Sequence, residues 1–318
     1  MNSLSMRVEQ YLELRRQLGT GLSASAVQTL RTFAAFAETQ GAATVTTELF
    51  LCWKANYGSA GQLSWSYRLS HIRTFTEWLQ HWEPGTEVPP RGLIPARQHR
   101  PPPYIYTDEQ LEAIVTAAAR LKSQSGLRAA TYSTLFGLLA VTGLRISEAL
   151  ALDDCDVDTD TGLIQIQPTK SSHNRTLPLT PCTVSRLADY RTCRNQVVGA
   201  STDTSAFFVN EMRRRVSIQA AEDNFAQIGQ KIGLRRPEKS TRRGRGPRLH
   251  DMRHTLATRV IIEWYRSGFD VDREMYKLSA WLGHKNPKGT YWYLEAVPEL
   301  LQLAVKQTAG QFAREGDR

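Results

Sequence analysis

Residues 281–293 read Trp-Leu-Gly-His-Lys-Asn-Pro-Lys-Gly-Thr-Tyr-Trp-Tyr and join a predicted helix end to a pair of tyrosines. Gly283 predicts that the preceding helix stops, and Pro287 prevents it from resuming at once. His284 lies on the resulting loop, and Tyr293 follows nine residues later. A tyrosine hydroxyl can attack phosphorus when the charge of the phosphate is neutralised. From the residues alone, an interface aromatic is the alternative for Tyr293.

Two upstream segments hold cationic side chains in fixed positions. His250 and Arg253 are three residues apart and therefore share one face of a predicted helix. In residues 142–150 a glycine follows an apolar helix, so Arg145 is held close to a core. A guanidinium held in this way suits a phosphate, because its fork donates two parallel hydrogen bonds. A pair between Arg145 and a nearby carboxylate is the alternative.

In their order along the chain, these residues resemble the catalytic set of the tyrosine recombinase (phage integrase) family. The six matching positions are Arg145, Lys170, His250, Arg253, His284 and Tyr293. Lys170 matches the lysine on the family's β-hairpin, and the resemblance covers about residues 105–310. The family's spacing from His284 selects Tyr293 over Tyr291. The two tyrosines lie about 200° apart around a helix, so we expect Tyr291 to pack or to touch DNA backbone.

The resemblance also implies a reaction. Tyr293 attacks a scissile DNA phosphate, a 3′-phosphotyrosyl link forms, and a 5′-hydroxyl leaves. Arg145 and Arg253 neutralise the nonbridging oxygens, where charge builds in the transition state, and His284 hydrogen-bonds there too. Lys170 acts as general acid for the leaving oxygen, and His250 is the expected partner for the tyrosine proton. We expect no ATP, metal or other cofactor, because one phosphodiester replaces another and cationic side chains supply the charge.

Proline divides the chain. Residues 84–104 are proline-rich and predict an interdomain linker, because proline clusters resist helix and strand. We therefore predict an N-terminal helical domain at 1–88, a linker at 89–104 and a catalytic domain with a C-terminal tail helix at 105–318. The resemblance identifies the first as the family's DNA-binding core-binding domain. The fold class is mainly α with a small antiparallel β-sheet, the sheet belonging to an α+β catalytic domain.

Local patterns fill in these domains. One helix face is predicted from apolar residues at helical spacing, namely Leu69, Ile72, Phe75, Leu79 and Trp82. Thr107 and Gln110 form a capping box that predicts a helix start. The apolar run 135–141 predicts a helix buried on all sides. Strands are predicted after the turn at 160–162 and at 175–179, as an antiparallel meander.

The charge balance favours a polyanionic partner. The 318 residues hold 40 Lys and Arg against 31 Asp and Glu, a net charge of +9. Residues 235–248 concentrate this excess directly before the His250 helix. The predicted contacts to duplex DNA backbone are Arg242, Arg243, Arg245 and Arg248, with Arg97 and Arg100 in the linker. A solvated, disordered loop is the alternative interpretation of the basic run.

Several classes of protein and site are disfavoured. No run of 18 apolar residues is present, and the first residues lack an apolar signal core, so we expect neither a membrane span nor secretion. Four scattered cysteines predict free thiols rather than disulfides or zinc. These features favour a cytoplasmic protein, and the resemblance implies a bacterial, nucleoid-associated one. The aspartates of residues 153–160 match a calcium loop only in part and are interpreted as a solvated turn rather than a two-metal site.

The leading hypothesis is a site-specific recombinase for integration, excision or transposition of a mobile element. By resemblance, the apolar tail after Pro298 docks on a neighbouring protomer, giving a homo-tetramer on DNA; an intramolecular helix is the alternative. Two other functions remain open. One is a catalytically silent DNA-binding protein of the same fold, against which the complete six-residue set argues. The other is a type IB topoisomerase, which uses the same chemistry.

Overall fold

The chain divides into two compact units, residues 1–101 and 102–318. The computed structural model describes residues 3–42, 44–95, 102–167, 174–199, 205–238, 241–284, 288–296, 299–302 and 305. Side chains at 238, 241–244, 288 and 294–296 are outside this description.

Four helices form the first unit. They are α1 (Leu4–Gln17), α2 (Ala24–Thr39), α3 (Thr47–Asn56) and α4 (Gln62–Leu79). Ser3, Ser23 and Thr46 cap the first three helices by accepting a hydrogen bond from a backbone N–H of the first turn. The core between the helices is rich in aromatic rings, with Phe33 and Trp53 in edge-to-face contact.

The predicted apolar face of α4 is correct for all but one residue. Leu69, Ile72, Phe75 and Leu79 are buried. Trp82 is 61% exposed, because α4 ends at Leu79 and Trp82 lies in the following turn. Its ring packs beside Trp78 and under the guanidinium of Arg7.

The second unit combines eight helices with five short strands among its described residues. The helices are α5 (Asp108–Ala119), α6 (Leu127–Thr142), α7 (Ile146–Ala151), α8 (Pro181–Val198), α9 (Ile218–Lys231), α10 (His250–Arg266), α11 (Val271–Leu282) and α12 (Lys288–Ala296). The strands are β1 (Val157–Asp158), β2 (Leu163–Ile166), β3 (Arg175–Pro178), β4 (Arg236–Glu238) and β5 (Thr241–Arg245). The prediction of a mainly helical chain with a small antiparallel sheet is confirmed.

Strands β1, β2 and β3 form the predicted meander, with Ile164 opposite both Val157 and Leu177. Ile164, Ile166 and Leu177 point into the core of the unit. Arg175 lies two residues before Leu177 and so projects from the same inward face of β3.

Helix α6 is the central element of this core and packs against α5, α8 and α10. Leu135, Phe136, Leu138 and Leu139 are buried, whereas Val141 is 52% exposed. The prediction of burial on all sides is therefore wrong at the last turn. The capping box of Thr107 and Gln110 at the start of α5 is confirmed.

A second cluster joins α10, α11 and α12. Ile261 and Met275 pack together there with Leu282, Tyr293 and Leu300. This cluster fixes the C-terminal end of α11 against α10 and α12.

Candidate active site

Arg145 is held by a buried carboxylate. Gly143 ends α6 with φ +65°, and Arg145 directly precedes α7. The Arg145 guanidinium donates to Glu148 Oε1 at 2.9 Å, and its backbone N–H donates to Oε2 at 3.0 Å. Glu148 is 2% exposed, while the Arg145 side chain keeps 20% of its surface open. Arg145 is therefore close to the core, as predicted, and it also makes the alternative carboxylate pair.

A second guanidinium, that of Arg175, binds the same carboxylate. Arg175 Nη2 and Nη1 lie 2.9 and 3.3 Å from the two oxygens of Glu148. Burial alone would raise the pKa of Glu148, but the hydrogen bonds and charges of Arg175 and Arg145 lower it to about 2. Glu148 is therefore an anion that fixes two cations.

The C-terminal carbonyls of α11 bind three guanidinium groups. Arg175 Nε donates to Trp281 O at 2.7 Å, Arg253 Nη2 to Leu282 O at 2.6 Å, and Arg145 Nη1 to Gly283 O at 3.4 Å. These carbonyls lack intrahelical partners and carry the negative end of the helix dipole. The predicted helix end at Gly283, which has φ +65°, is confirmed and is the scaffold of the site.

Arg253 is the most deeply placed of these cations. It is 2% exposed and also donates to Gly143 O at 2.8 Å. Burial and the nearby charge of Arg145 lower its pKa to about 10, so it stays protonated at neutral pH. Two of its five N–H donors are used by carbonyls, and the guanidinium also hydrogen-bonds the Tyr293 side chain.

The Tyr293 hydroxyl lies beside His254 rather than His250. His254 Nδ1 is 3.2 Å from the Tyr293 oxygen, and the ring of His250 packs edge-to-face on His254 at 4.6 Å. The resemblance implies His250 as the partner for the tyrosine proton, and that role stays a prediction. In the structure the contact to the hydroxyl is made by His254, which lies one helical turn beyond His250 and faces α12.

Tyr293 is 2% exposed. Burial raises its pKa, and the charge and hydrogen bond of Arg253 act in the opposite direction. Tyr291 faces away and donates a hydrogen bond to Asp272 at 3.1 Å. The two tyrosines therefore occupy different environments, as the helical spacing predicts.

The three histidines share a low-pKa environment. Burial lowers the pKa values of His250 and His284 to about 4, together with the charges of neighbouring guanidinium groups. Of these, Arg253 has the largest effect. Burial and the adjacent His250 lower the pKa of His254 to about 3. All three rings are neutral at pH 7. His284 Nδ1 lies 2.7 Å from the Thr290 hydroxyl.

Sequence reasoning overlooked Glu148, Arg175, His254 and Thr290. Three of them carry a readable signal. Glu148 and His254 lie three and four residues from Arg145 and His250 and so share a helical neighbourhood with them. Arg175 is a charged residue at an inward strand position.

Some predicted residues lie outside the described residues, namely Lys170, Arg97 and Arg100. The basic run is a two-stranded antiparallel hairpin of β4 and β5 in place of a loop, with Arg236 opposite Arg245. Arg242 and Arg243 lie in β5, with side chains outside the description, and Arg245 is exposed. The Arg248 side chain is 65% exposed and pairs with Asp251 at 3.6 Å. Arg235 is buried and donates to the carbonyls of Gly246 and Pro247, so it anchors the hairpin.

The acidic segment 153–160 has structural partners. Asp153 pairs with Arg215, and Asp154 pairs with Arg191 and Arg194. Asp156 is buried, which corrects the expectation of a fully solvated turn. Among the described residues, no group of three or more His, Cys, Asp or Glu side chains is arranged to hold a metal ion.

The site therefore places the guanidinium groups of Arg145 and Arg253 and the ring of His254 near one buried tyrosine hydroxyl. His250 packs on His254, and His284 lies close to both guanidinium groups. Such an arrangement can stabilise an anionic, phosphoryl-like transition state while a proton leaves the hydroxyl. The sequence model of the phage integrase family matches residues 105–299. The chain belongs to the phage integrase family. Members are tyrosine recombinases, and the chain is accordingly a DNA strand-transfer enzyme.

Relatives of this family member are similar over much or nearly all of its length. It is 36% identical to y4rB of Sinorhizobium fredii, described as a candidate integrase/recombinase, over 310 residues that cover 96% of this chain and 97% of the relative. It is 28% identical to the tyrosine recombinase XerC of Chlamydia caviae, over 71% of this chain and 65% of the relative.

Solved structures share the fold at low sequence identity. The XerH recombinase bound to a difH substrate aligns at TM-score 0.63 and 16% identity, covering 95% of this chain and 84% of that one. The Tn1549 transposon integrase, in complex with a circular intermediate DNA, aligns at TM-score 0.61 and 16% identity, covering 90% and 94%.

Within the described part of the integrase-family chain, none of the helices is both long and apolar enough to cross a membrane.

Proposed function

We propose that the protein is a site-specific recombinase that cuts and rejoins duplex DNA through a 3′-phosphotyrosyl intermediate on Tyr293. The observation that carries the proposal is the placement of the Tyr293 hydroxyl, 3.2 Å from His254 Nδ1 and beside the buried Arg253. A buried phenol with an imidazole acceptor and a cation at hand has the partners that a tyrosine nucleophile needs.

In the proposed step, Tyr293 Oη attacks phosphorus and the bond from phosphorus to the 5′ oxygen breaks. The tyrosine proton passes to a ring nitrogen of His254, and the 5′ oxygen takes a proton from Lys170. Arg145, Arg253 and His284 donate hydrogen bonds to the nonbridging oxygens. His250, packed on His254, faces the phosphate from the solvent side. The reverse attack by a different 5′-hydroxyl reseals the strand without ATP.

DNA binding is proposed to spread over both units. The helical unit 1–101 serves as the core-binding domain, and the basic hairpin with Arg242, Arg243 and Arg245 contacts phosphates beside the site, as does Arg248. Arg97 and Arg100 extend these contacts into the linker. The net charge of +9 and the exposure of Arg245 and Arg248 support this placement.

We propose a mobile element as the substrate, through integration, excision or transposition. The match to y4rB, a candidate integrase/recombinase, spans 96% of the chain at 36% identity, whereas the XerC match spans 71% at 28%. A homo-tetramer on DNA is proposed to assemble through the tail. Leu300 is buried within its own chain, whereas Leu301 and Val305 are 48% and 67% exposed and available to a neighbouring protomer.

A nicked suicide substrate tests the activity. The full-length protein is incubated in EDTA with DNA carrying the element's own ends, and covalent adducts are separated on a denaturing gel. We expect an adduct with the wild type and with Tyr291→Phe, and none with Tyr293→Phe. Tyr291 is a matched control on the same helix, hydrogen-bonded to Asp272 outside the site. A protein that binds the site yet never forms an adduct is a binding module instead.

A further inference from the structure

A chain of buried hydroxyl groups ends on His284. The Thr290 hydroxyl lies 2.7 Å from His284 Nδ1 and 3.1 Å from the Ser279 hydroxyl. Thr290 is fully buried, and Ser279 is 5% exposed. Water therefore cannot replace either hydrogen bond, and the state of His284 Nδ1 depends on these side chains.

The position of the proton on His284 decides what its ring can do. A neutral imidazole carries one N–H donor and one bare acceptor nitrogen. Burial and the charges of Arg253, Arg145 and Arg175 outweigh that of Glu148 and keep the pKa of His284 at about 4. At neutral pH the ring therefore has a single proton. Only the form protonated at Nε2 can donate to a phosphate oxygen while Nδ1 faces Thr290.

The chemistry of the partner permits this form, since a hydroxyl can donate as well as accept. A carboxylate beside Nδ1 could only accept, and it would draw the proton to Nδ1 and leave Nε2 bare. A hydroxyl can donate, and Thr290 can do so while it accepts the proton of Ser279. In this arrangement Ser279 donates to Thr290, and Thr290 donates to His284 Nδ1. The two hydroxyl oxygens and Nδ1 then all have a hydrogen-bond partner.

We propose that Thr290 is a positioning residue that donates to His284 Nδ1, backed by Ser279, and so holds His284 with its proton on Nε2, ready to donate to an anionic oxygen of the substrate. The inference rests on the proposed function for the role of that donor. Thr290 lies three residues before Tyr293 on α12, so one helix sets both the imidazole donor and the nucleophile.

Nitrogen NMR of the full-length, DNA-free protein tests the tautomer directly. Histidine is labelled with 15N, and the His284 signals are assigned by their loss in His284→Asn. At pH 7 we expect protonated Nε2 and unprotonated Nδ1 in the wild type and in Thr290→Ser. Thr290→Val has nearly the same shape but no hydroxyl, and we expect it to shift the proton towards Nδ1. A wild type protonated at Nδ1, or a Thr290→Val spectrum identical to wild type, would overturn the proposal.

Strand cleavage provides the second readout. Thr290→Val is expected to slow adduct formation by about 10-fold or more, because a transition-state donor is lost for part of the time. Thr290→Ser is expected to restore it, and DNA affinity should not change in either. If Thr290→Val fails to fold, Ser279→Ala removes only the far donor and should shift the same signals in part. Should the wild type form no adduct with any element end, the proposed function fails, while the NMR result still decides the tautomer.

Discussion

The Nδ1 atom of His254 lies 3.2 Å from the hydroxyl oxygen of Tyr293, which makes His254 the ring nitrogen partner of that oxygen in this structure. His250 contacts the ring of His254 rather than the tyrosine oxygen. His254, one turn further along α10, thus makes the contact that the family resemblance implies for His250.

Replacement of His254 by phenylalanine keeps a ring against Trp292 and removes the proposed proton acceptor. We expect adduct formation to slow by about 10²- to 10⁴-fold at pH 7. The loss should shrink as pH rises, because hydroxide can remove the tyrosine proton instead. His250→Phe is the control, and its loss should not depend on pH in this way. Single-turnover cleavage rates of both variants are measured between pH 6 and 9. If the rate recovers with rising pH only in His250→Phe, the assignment of His254 as the proton acceptor is contradicted.

Glu148 holds two cations and is itself only 2% exposed. Glu148→Gln keeps the shape and removes the charge between Arg145 and Arg175, so we expect a loss of about 3–5 kcal/mol in unfolding free energy. Cleavage should fall as well, because Arg145 loses its anchor. Glu299→Gln is the matched control, since its pair with Arg266 is exposed on both sides and is worth less than about 1 kcal/mol. Urea unfolding compares the variants; equal losses would show that Glu148 contributes no more than a surface pair.

Gly283 is required for two separate reasons. Its φ is +65°, and a Cβ there would lie 2.5 Å from Arg175 Nη1. Gly126 has φ +78° with nothing within 4 Å of its Cβ position, so Gly126→Ala measures the backbone strain alone, about 1–2 kcal/mol. Gly283→Ala should lower the free energy of unfolding clearly more than Gly126→Ala does. It should also abolish cleavage, because Arg175 must leave Glu148. Equal thermal unfolding losses with normal cleavage in both variants would contradict this.

Sequence reasoning predicts the local boundaries of this fold and misses its long-range pairings. Gly143, Gly283 and the capping box of Thr107 are local signals, and each predicted its helix boundary correctly. Arg175 binds Glu148 across 27 positions and Trp281 across 106. No local pattern encodes such a pairing, since the meander and α11 must first pack together. The burial predicted for Trp82 and Val141 is wrong for the converse reason. The apolar pattern continues through both residues, but α4 ends before Trp82 and the packing around α6 ends before Val141.

The lowered pKa values of the histidines predict that the protein loses stability in mild acid. Folded pKa values of about 4 for His284 and about 3 for His254 lie below the unfolded value of 6.5. Between these limits the unfolded chain binds protons that the folded chain does not, so stability falls as pH drops from 6.5 towards 4. Each ring contributes a slope of at most about 1.4 kcal/mol per pH unit, less where solvent screens it.

Glu148 adds a separate loss at lower pH. Its folded pKa of about 2 lies below the ordinary 4.5, so its contribution disappears as pH falls from 4.5 to 2. Urea unfolding at a series of pH values should therefore show a decline that begins near pH 6.5 and is shallower in His254→Phe. Stability that is constant from pH 7 down to 4.5 would contradict the depressed histidine pKa values.

The basic hairpin predicts a salt dependence. Replacing Arg242, Arg243 and Arg245 by glutamine should reduce the slope of log affinity against log salt by up to about 2–3, since each phosphate contact contributes about 0.9 to that slope. The matched control replaces three exposed cations elsewhere on the same unit, namely Arg120, Lys122 and Lys231. Fluorescence anisotropy with a labelled duplex gives both slopes. An unchanged slope in the hairpin variant would remove these residues from the DNA interface.

In the proposed reaction one phenolic oxygen, that of Tyr293, becomes bonded to DNA. The most direct measurement traps the covalent adduct on a suicide substrate, digests both components, and sequences the peptide that retains a nucleotide by mass spectrometry. The proposed mechanism predicts that the modified residue is Tyr293, linked through a 3′-phosphate. A nucleotide on Tyr291, on a histidine, or joined through a 5′-phosphate would contradict it.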